Sequence, residues 1–227
     1  MHDSAMSFGK MFFETYAAKS EGLTIVDIGS QDVNGSLRSV SPAGNTFIGV
    51  DFTKANGVDI VITDPYRLPF DDNSVDICLS SSCFEHSEFF WLVFNDIMRV
   101  LKPSGLLYIN VPSNGEFHRF PVDCWRFYPD SGMALQNWGR RSGYNVAMLE
   151  SFTGRQHKSK WNDFVAVFVK DEKHAADYPE RMQGRTENYM NGMTYGSTDV
   201  SRLSLSAEDQ EPALGRRIKR ALRRLVG

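Results

Sequence analysis

The segment LTIVDIGSQDVNG, residues 23–35, carries the signal that identifies the fold class. Its first six residues are an apolar run that includes an acid near its end, which is typical of a buried parallel strand. Gly29 and Ser30 follow as a turn, in which the missing side chain of glycine lets the backbone approach a ligand closely. The segment therefore predicts a strand, a ligand-binding turn and then a helix.

Other parts of the chain continue the alternation of strands and helices. Four more runs are predicted to be strands: NTFIGVD (45–51), VDIVITD (58–64), SVDICLSSS (74–82) and GLLYINVPS (105–113). EFFWLVFNDIMRVL (88–101) has apolar residues at helical spacing, and 129–143 predicts a weaker helix. Two late strands, 144–152 and 161–170, follow without a long helix between them. The sequence thus predicts an α/β, Rossmann-like doubly wound, mostly parallel seven-stranded sheet with an antiparallel last strand.

Composition divides the chain into four parts. We expect an N-terminal segment at 1–21, a main domain at 22–170, a polar extension at 171–214 and a basic amphipathic tail at 215–227. The first segment is predicted either to close over a ligand as a lid or to bury Met11, Phe12 and Tyr16 in the core. The tail contains six Arg and Lys and no acid, so the rest of the chain, which has a net charge of −3 overall, sums to −9.

The charge, the hydropathy and the cysteine pattern of the chain argue against several classes of protein. An acidic body argues against a protein that coats nucleic acid, and no apolar run reaches the ~20 residues that span a bilayer. The N-terminus lacks a secretory pattern, so we expect a cytoplasmic protein. Its basic tail predicts peripheral contact with an anionic membrane or an acidic partner, or a solvated tail. Cys78, Cys83 and Cys124 have no CxxC or Cys/His pairing, so the sequence predicts reduced thiols and no metal site.

Acids at the ends of three successive strands predict a nucleoside site. Asp27 lies under the glycine turn, Asp51 can accept both ribose hydroxyls, and Asp64 can accept from an exocyclic amine. Ligands of open α/β sheets bind beyond the carboxyl ends of the strands. The alternative is that these acids cap helix N-termini. There is no GxGxxG, and Asp32 would repel a diphosphate, which favours a nucleoside without phosphates over NAD.

The chain resembles class I S-adenosylmethionine-dependent methyltransferases over roughly residues 22–170. VDIGSQDVNGSL is similar to their first motif and GVDF to their acidic motif. TDPYRLPFDDNSVDICLSSSCFEH and FNDIMRVLKPSGLLYINVP are similar to their later motifs. The resemblance implies that S-adenosyl-L-methionine is the cofactor. It implies a cofactor site formed by Asp27, Gly29, Ser30, Gln31, Asp51, Phe52, Asp64, Pro65 and Ser80.

The loop FHRFPVDCWRFYPD, residues 117–130, is rich in aromatic and charged side chains and is predicted to line the acceptor pocket. Methyl transfer to oxygen or nitrogen requires alignment and a group that accepts a proton. The candidate bases are His118, which we favour, Asp123, and His86 after the fourth strand. The predicted substrate contacts are Arg119, Trp125 and Arg126. Alternatively the cluster only holds the loop in place, with Asp123 paired to Arg126.

The resulting prediction is an S-adenosylmethionine-dependent methyltransferase that methylates oxygen of a glycan or glycan-lipid intermediate. The loop is similar to those of methyltransferases linked to surface polysaccharide biosynthesis. The alternatives are a small-molecule or lipid methyltransferase and a non-catalytic binding subunit. We expect a glycan or small-molecule acceptor and no nucleic acid, and the protein could form an oligomer.

Overall fold

The computed structural model describes residues 3–18, 20–156 and 160–205. The predicted tail at 215–227 lies outside the described residues. In the described part the chain forms the following helices and strands: α1 Asp3–Tyr16, β1 Thr24–Ile28, β2 Thr46–Asp51, β3 Ile60–Val61, β4 Val75–Ser81, α2 Phe90–Val100, β5 Leu101–Pro112, α3 Ser131–Arg141, β6 Ala147–Gly154, β7 Asp163–Val169 and β8 Tyr189–Thr194.

The strands form a single sheet in the order β3-β2-β1-β4-β5-β7-β6-β8. The first five are parallel to their neighbours, whereas β7 runs antiparallel to both β5 and β6. The chain order reverses between β1 and β4, which is the point where open α/β sheets bind ligands. The predicted fold class, a Rossmann-like, mostly parallel sheet, is confirmed.

The sheet has eight strands where the sequence predicts seven. The additional strand β8 lies within the polar extension and pairs antiparallel with β6. Asn191 in this strand has a positive φ of 54°, and Gly192 follows it. These two residues interrupt the apolar pattern, which is why YMNGMT does not read as a strand. Tyr189 and Met190 are nevertheless buried, at 6% and 1% exposed.

Both faces of the sheet are buried, and the strands alternate between two hydrophobic clusters. Leu107 and Ile109 of β5 pack in the cluster under α2 and α3, whereas Leu106 and Tyr108 pack on the opposite face. Successive side chains of a strand point to opposite faces, so a doubly covered strand reads as a continuous apolar run. This explains why the central strands are visible in the sequence.

Helix α1 contributes to the core of the second face. Its Phe12 ring is fully buried and lies 4.8 Å from the Tyr108 ring. Phe13 and Tyr16 are also buried there. The contacts therefore match the core alternative for this segment, and they fix the helix on the sheet.

The connection after β1 is shorter than the predicted helix. A single 3₁₀ turn, Leu37–Val40, replaces it and is capped by the Ser36 hydroxyl, which accepts from the Arg38 amide. Before it, the Gly35 amide donates to the Asp32 carboxylate at 2.8 Å. Asp32 thus closes the turn with a local hydrogen bond, as aspartate often does in place of helix.

None of the helices in the described ranges combines the length and the apolar character needed to cross a bilayer.

A buried carboxyl group joins the extension to the rest of the fold. Glu150 on β6 is 0% exposed. It accepts hydrogen bonds from the Tyr16 hydroxyl at 2.6 Å and from the backbone amides of Met182 and Gln183 at 2.6 and 3.1 Å. Burial and the neighbouring carboxylate raise the pKa of Tyr16, so the hydroxyl stays a donor. One residue therefore ties α1, β6 and the 182–184 turn together.

We predict that Tyr16→Phe lowers the free energy of unfolding by about 1–3 kcal/mol, because it leaves a buried carboxylate short of one donor. Urea denaturation measures the change. Tyr195→Phe is the matched control, since the Tyr195 hydroxyl bonds Glu172 at an exposed site, and should cost far less. If both variants lost the same free energy of unfolding, the stabilising role of the buried Tyr16–Glu150 hydrogen bond would be contradicted.

Candidate functional site

The glycine turn closes over the carboxyl end of the neighbouring strand. Ile28, the last residue of β1, lies beside Val50 of β2 and Ser80 of β4. The amides of Gly29 and Ser30 both donate to the Val50 carbonyl oxygen, at 2.9 and 3.2 Å. The turn is thereby fixed at the point where the order of the strands reverses.

Only glycine fits at the first position of this turn. Gly29 has φ +78°, and a Cβ there would lie 2.7 Å from both Cβ and Sγ of Cys83. Such a distance is below any normal non-bonded contact, and a side chain is also strained at this φ. The turn consequently packs its backbone directly against the segment that follows β4.

Two of the three predicted acids lie side by side beneath this turn. Asp27 is 3% exposed, and burial raises its pKa to about 7, with the negative charge of Asp51 adding to the effect. Asp51 is 8% exposed and one of its carboxylate oxygens accepts from the Thr53 amide at 2.8 Å. Phe52, next in the chain, presents a ring that is 54% exposed. A carboxylate and a free aromatic face therefore stand together at the end of β2.

The third acid lies in a different environment. Asp64 and Pro65 are exposed in the loop after β3, and an Asp64 carboxylate oxygen accepts from the Tyr66 amide at 2.9 Å. This bond closes a local turn, and no helix of the described residues begins there, so it is not the helix cap that the alternative interpretation of the acids predicts. Asp64 can still accept from a ligand with its second oxygen.

The remaining predicted cofactor residues are mostly buried. Ser80 is fully buried on β4 and Gln31 is half-buried in the turn. Ser30 is 4% exposed, and its hydroxyl has no hydrogen-bond partner in the described part of the chain. A buried hydroxyl without a partner costs free energy unless a ligand satisfies it. The residues at this edge therefore fit a nucleoside with a polar tail, as S-adenosylmethionine has.

A short 3₁₀ turn after β4, Phe84–His86, brings a buried carboxyl group to the same edge. Glu85 is 1% exposed, and its Oε2 atom has no hydrogen-bond partner in the described ranges. Burial raises its pKa to about 8, against the opposing effect of the Arg126 guanidinium. Glu85 is not among the residues predicted from the sequence. Its position directly before His86 at a strand end was the only available signal.

The two predicted histidines meet beside Glu85. The rings of His86 and His118 lie 5.0 Å apart and nearly perpendicular, at 84°. His86 Nδ1 lies 2.5 Å from the Val122 carbonyl oxygen, and burial lowers the pKa of this imidazole. The structure thus brings together two residues that are distant in sequence and were proposed separately.

Asp123 anchors the loop. Its carboxylate binds the Arg126 guanidinium through two bonds of 2.6 and 2.9 Å and accepts from the His118 amide at 2.7 Å. The bound guanidinium holds the pKa of Asp123 at about 2, so the group is a weak base with both oxygens engaged. This geometry favours the pairing alternative for Asp123 over a role as base.

Trp125 and Arg119, two predicted substrate contacts, make different hydrogen bonds in the loop. The Trp125 indole donates to the Ser87 carbonyl oxygen at 2.9 Å, and its backbone amide and that of Cys124 both donate to the Glu85 carbonyl oxygen. Trp125 thus attaches the loop to the segment after β4 while staying 37% exposed. Arg119 is exposed, and its Nε donates to the Pro121 carbonyl oxygen.

Cys83 connects the two halves of this site. It contacts Gly29, and its thiol has a pKa raised to about 12 by burial, with the charges of Glu85 and Asp51 adding to the effect. Asp27 and Asp51 under the glycine turn and the buried carboxyl group of Glu85 therefore lie on either side of the Cys83 side chain. A cofactor and an acceptor bound at this edge would be neighbours.

Asp123→Asn should lower the free energy of unfolding at neutral pH by about 2 kcal/mol, because the ionised carboxylate makes charge-assisted bonds that an amide cannot replace. The pKa of Asp123 is about 2 in the folded protein and about 4 in the unfolded chain. The ionised group therefore stabilises the fold fully at pH values above about 4, and this stabilisation is lost as the pH falls toward about 2. Denaturation of both proteins between pH 7 and pH 3 measures the difference. A difference that does not shrink below about pH 4 would contradict the pairing.

Comparison with known proteins agrees with this geometry. Residues 23–109 match the model of a family described as "Methyltransferase domain". An uncharacterized methyltransferase of Mycobacterium tuberculosis is 32% identical over 120 residues, which are 48% of this chain and 46% of that protein. The chain thus spans about half the length of the curated relatives it matches.

Two solved structures share the fold. A 1,6-didemethyltoxoflavin-N1-methyltransferase of Burkholderia thailandensis, with S-adenosylhomocysteine bound, has a TM-score of 0.58 and 14% identity over 75% of this chain and 80% of that one. A putative methyltransferase of Haloferax volcanii, in complex with the Trm112 activator, has a TM-score of 0.51 and 20% identity over 75% and 96%. Together with the strand order, these comparisons show that the chain has the fold of these methyltransferases and that residues 23–109 are similar to the methyltransferase domain family.

Proposed function

We propose that this protein transfers the methyl group of S-adenosylmethionine to a hydroxyl oxygen of a glycan, or of a glycan-lipid intermediate in surface polysaccharide biosynthesis. The observation that carries the proposal is the attachment of the 117–130 loop. The Cys124 and Trp125 amides of this loop donate to the Glu85 carbonyl oxygen. Cys83, two residues before Glu85, packs against Gly29 of the glycine turn. The loop therefore forms an acceptor wall beside the cofactor edge.

The exposed aromatic rings of the loop support a glycan acceptor. Phe117 is 76% exposed and Phe120 is 54% exposed, so this loop presents accessible aromatic rings to an acceptor. Aromatic faces suit the apolar face of a sugar ring. The exposed Arg119 suits a phosphate or carboxylate of the same acceptor.

The cofactor would be held mainly by the ends of the first three strands and of β4. When bound, it supplies a methyl carbon on a positively charged sulfur. Asp51 would accept the ribose hydroxyls, Phe52 would lie against the adenine, and Asp64 with Pro65 would contact its edge. The methionine part would be lined by Asp27, Gly29, Ser30, Gln31 and Ser80.

The acceptor hydroxyl must also lose its proton, because a neutral hydroxyl is a weak nucleophile. Among the predicted bases, Asp123 is occupied by Arg126, so His86 and His118 remain, with Glu85 beside them. We propose that this cluster of Glu85, His86 and His118 binds the acceptor hydroxyl and promotes the loss of its proton. Asp123 and Arg126 act as positioning residues for His118.

A small aromatic molecule is the second candidate acceptor. The Burkholderia relative was solved with 1,6-didemethyltoxoflavin, a small ring compound, and exposed Phe and Tyr rings would stack on such a ligand equally well. The two candidates differ in where the methyl group is found. Mass spectrometry of surface polysaccharide from a strain without the gene should show that one methyl group is missing from a sugar. An unchanged polysaccharide, with methylation of a small metabolite lost instead, would support the second candidate.

We expect Asp51→Ala to weaken S-adenosylhomocysteine at least about tenfold, because a charge-assisted hydrogen bond to the ribose is worth about 1.5–3 kcal/mol. Isothermal titration calorimetry measures the affinity. Asp199→Ala, an exposed acid remote in sequence from the site, is the control and should bind as wild type. Unchanged affinity in a folded Asp51→Ala protein would show that the ribose lies elsewhere.

His118→Asn should lower turnover by roughly 10²–10⁴ while the affinity for S-adenosylhomocysteine stays constant, because the imidazole acts on the acceptor alone. Turnover can be followed as release of S-adenosylhomocysteine, with polysaccharide from the deletion strain as acceptor. His174→Asn provides the control, since His174 pairs with Asp177 outside the cluster. Near-full activity of His118→Asn would remove this residue from the mechanism.

A further inference from the structure

The cluster of Glu85, His86 and His118 has the composition of a metal site. Each residue offers a ligand atom, and these atoms all lie within 4.8 Å of one another. No local sequence pattern predicts such a site, because its ligands come from two separate segments and involve no cysteine. The three residues lie at the acceptor side of the site, next to the cofactor edge.

Each of the two imidazoles keeps a nitrogen lone pair that a cation can bind. His86 Nδ1 faces the Val122 carbonyl oxygen at 2.5 Å, and a carbonyl oxygen only accepts, so Nδ1 of His86 carries the proton and its Nε2 carries the lone pair. His118 Nδ1 lies 3.1 Å from the Glu116 carbonyl oxygen and 3.4 Å from the Arg126 Nη2 donor, and in either tautomer one nitrogen of the neutral ring keeps a lone pair. Histidines that bind metals are commonly oriented in this way, by a backbone carbonyl on the second nitrogen.

The distance between Glu85 and His86 also fits two ligands of one ion. Glu85 Oε1 lies 3.8 Å from His86 Nε2, which is too far for a direct hydrogen bond. Two ligands that each lie about 2 Å from a shared cation are separated by roughly 3–4 Å. The second oxygen of Glu85 is buried and has no partner in the described part of the chain. A cation would satisfy both the carboxylate and the free nitrogens.

We propose that Glu85, His86 and His118 bind a divalent first-row transition-metal ion such as Zn²⁺, Mn²⁺ or Fe²⁺. The inference rests on the proposed function and states how the cluster acts on the acceptor. Imidazole ligands favour these ions over Mg²⁺ or Ca²⁺, which prefer oxygen. Three protein ligands leave open coordination positions, as catalytic sites do, and the acceptor hydroxyl would occupy one.

Charges around the cluster are compatible with a cation. The Arg126 guanidinium is a positive group beside the cluster, with its Nη2 3.4 Å from His118 Nδ1. Its charge is balanced by Asp123 through two hydrogen bonds. Trp161 lies against His118 on the other side, with ring centroids 5.0 Å apart. The positive charge of Arg126 is therefore balanced beside the proposed cation.

A bound ion would lower the pKa of the acceptor hydroxyl. The O–H bond breaks, the proton leaves to solvent water, and the electron pair stays on an oxygen that the ion stabilises. The three residues act as ligands in this account, and none of them needs to take up the proton.

The test is a Co²⁺ titration of untagged, chelator-treated full-length protein, followed by visible absorption and by calorimetry with Zn²⁺. We expect one ion per chain in wild type, and at least about tenfold weaker binding in Glu85→Gln, His86→Asn and His118→Asn. His174→Asn is the matched control and should bind as wild type. Affinity for S-adenosylhomocysteine is measured on every sample as a check of the fold and of the cofactor site.

The outcomes separate the two proposals. If wild type binds S-adenosylhomocysteine but no ion, or if the three variants bind Co²⁺ and Zn²⁺ as wild type does, the metal site is wrong and the proposed function stands. If wild type binds no S-adenosylhomocysteine, the proposed function itself is wrong. Variants that retain their affinity for S-adenosylhomocysteine but no longer bind the ion would support the metal site formed by Glu85, His86 and His118.

Discussion

The contact between Gly29 and Cys83 sets the geometry of the whole site. The turn after β1 must pass so close to the segment after β4 that a Cβ at Gly29 would lie 2.7 Å from the cysteine side chain. The parallel pairing of β1 with β4 brings the two strand ends to this distance. As a consequence, the acids that would bind a nucleoside and the residues that would bind an acceptor flank the small, half-buried side chain of Cys83.

Chemistry at this edge follows from which polar groups are buried and which are paired. Asp123 and Arg126 satisfy each other, so they stabilise the loop and are poor participants in proton transfer. Glu85 Oε2 and the Ser30 hydroxyl are buried without a hydrogen-bond partner among the described residues, and a ligand at this edge would satisfy them. The same reasoning explains why a nucleoside without phosphates fits better than a dinucleotide. Asp32 lies in the glycine turn, where a diphosphate would meet a negative charge.

The sequence predicts the central strands well, and the acids at their ends can be located from it, because both leave local patterns. Central strands buried on two faces read as apolar runs, and the acids that follow them are one or two residues away. β8 was missed because Asn191 and Gly192 break its apolar pattern, while its stability comes from pairing with β6. Glu85 was missed because its burial depends on a loop more than thirty residues later in the chain, whose Cys124 and Trp125 amides bind its carbonyl oxygen. Such long-range contacts have no local signature.

The central claim is that the carboxyl edge of β1, β2 and β4 binds S-adenosylmethionine. Calorimetric titration of the full chain with S-adenosylhomocysteine and, in parallel, with NAD⁺ tests it most directly. The account predicts saturable binding of S-adenosylhomocysteine at one site per chain and no measurable heat with NAD⁺. Binding of NAD⁺ in the absence of any response to S-adenosylhomocysteine would contradict it.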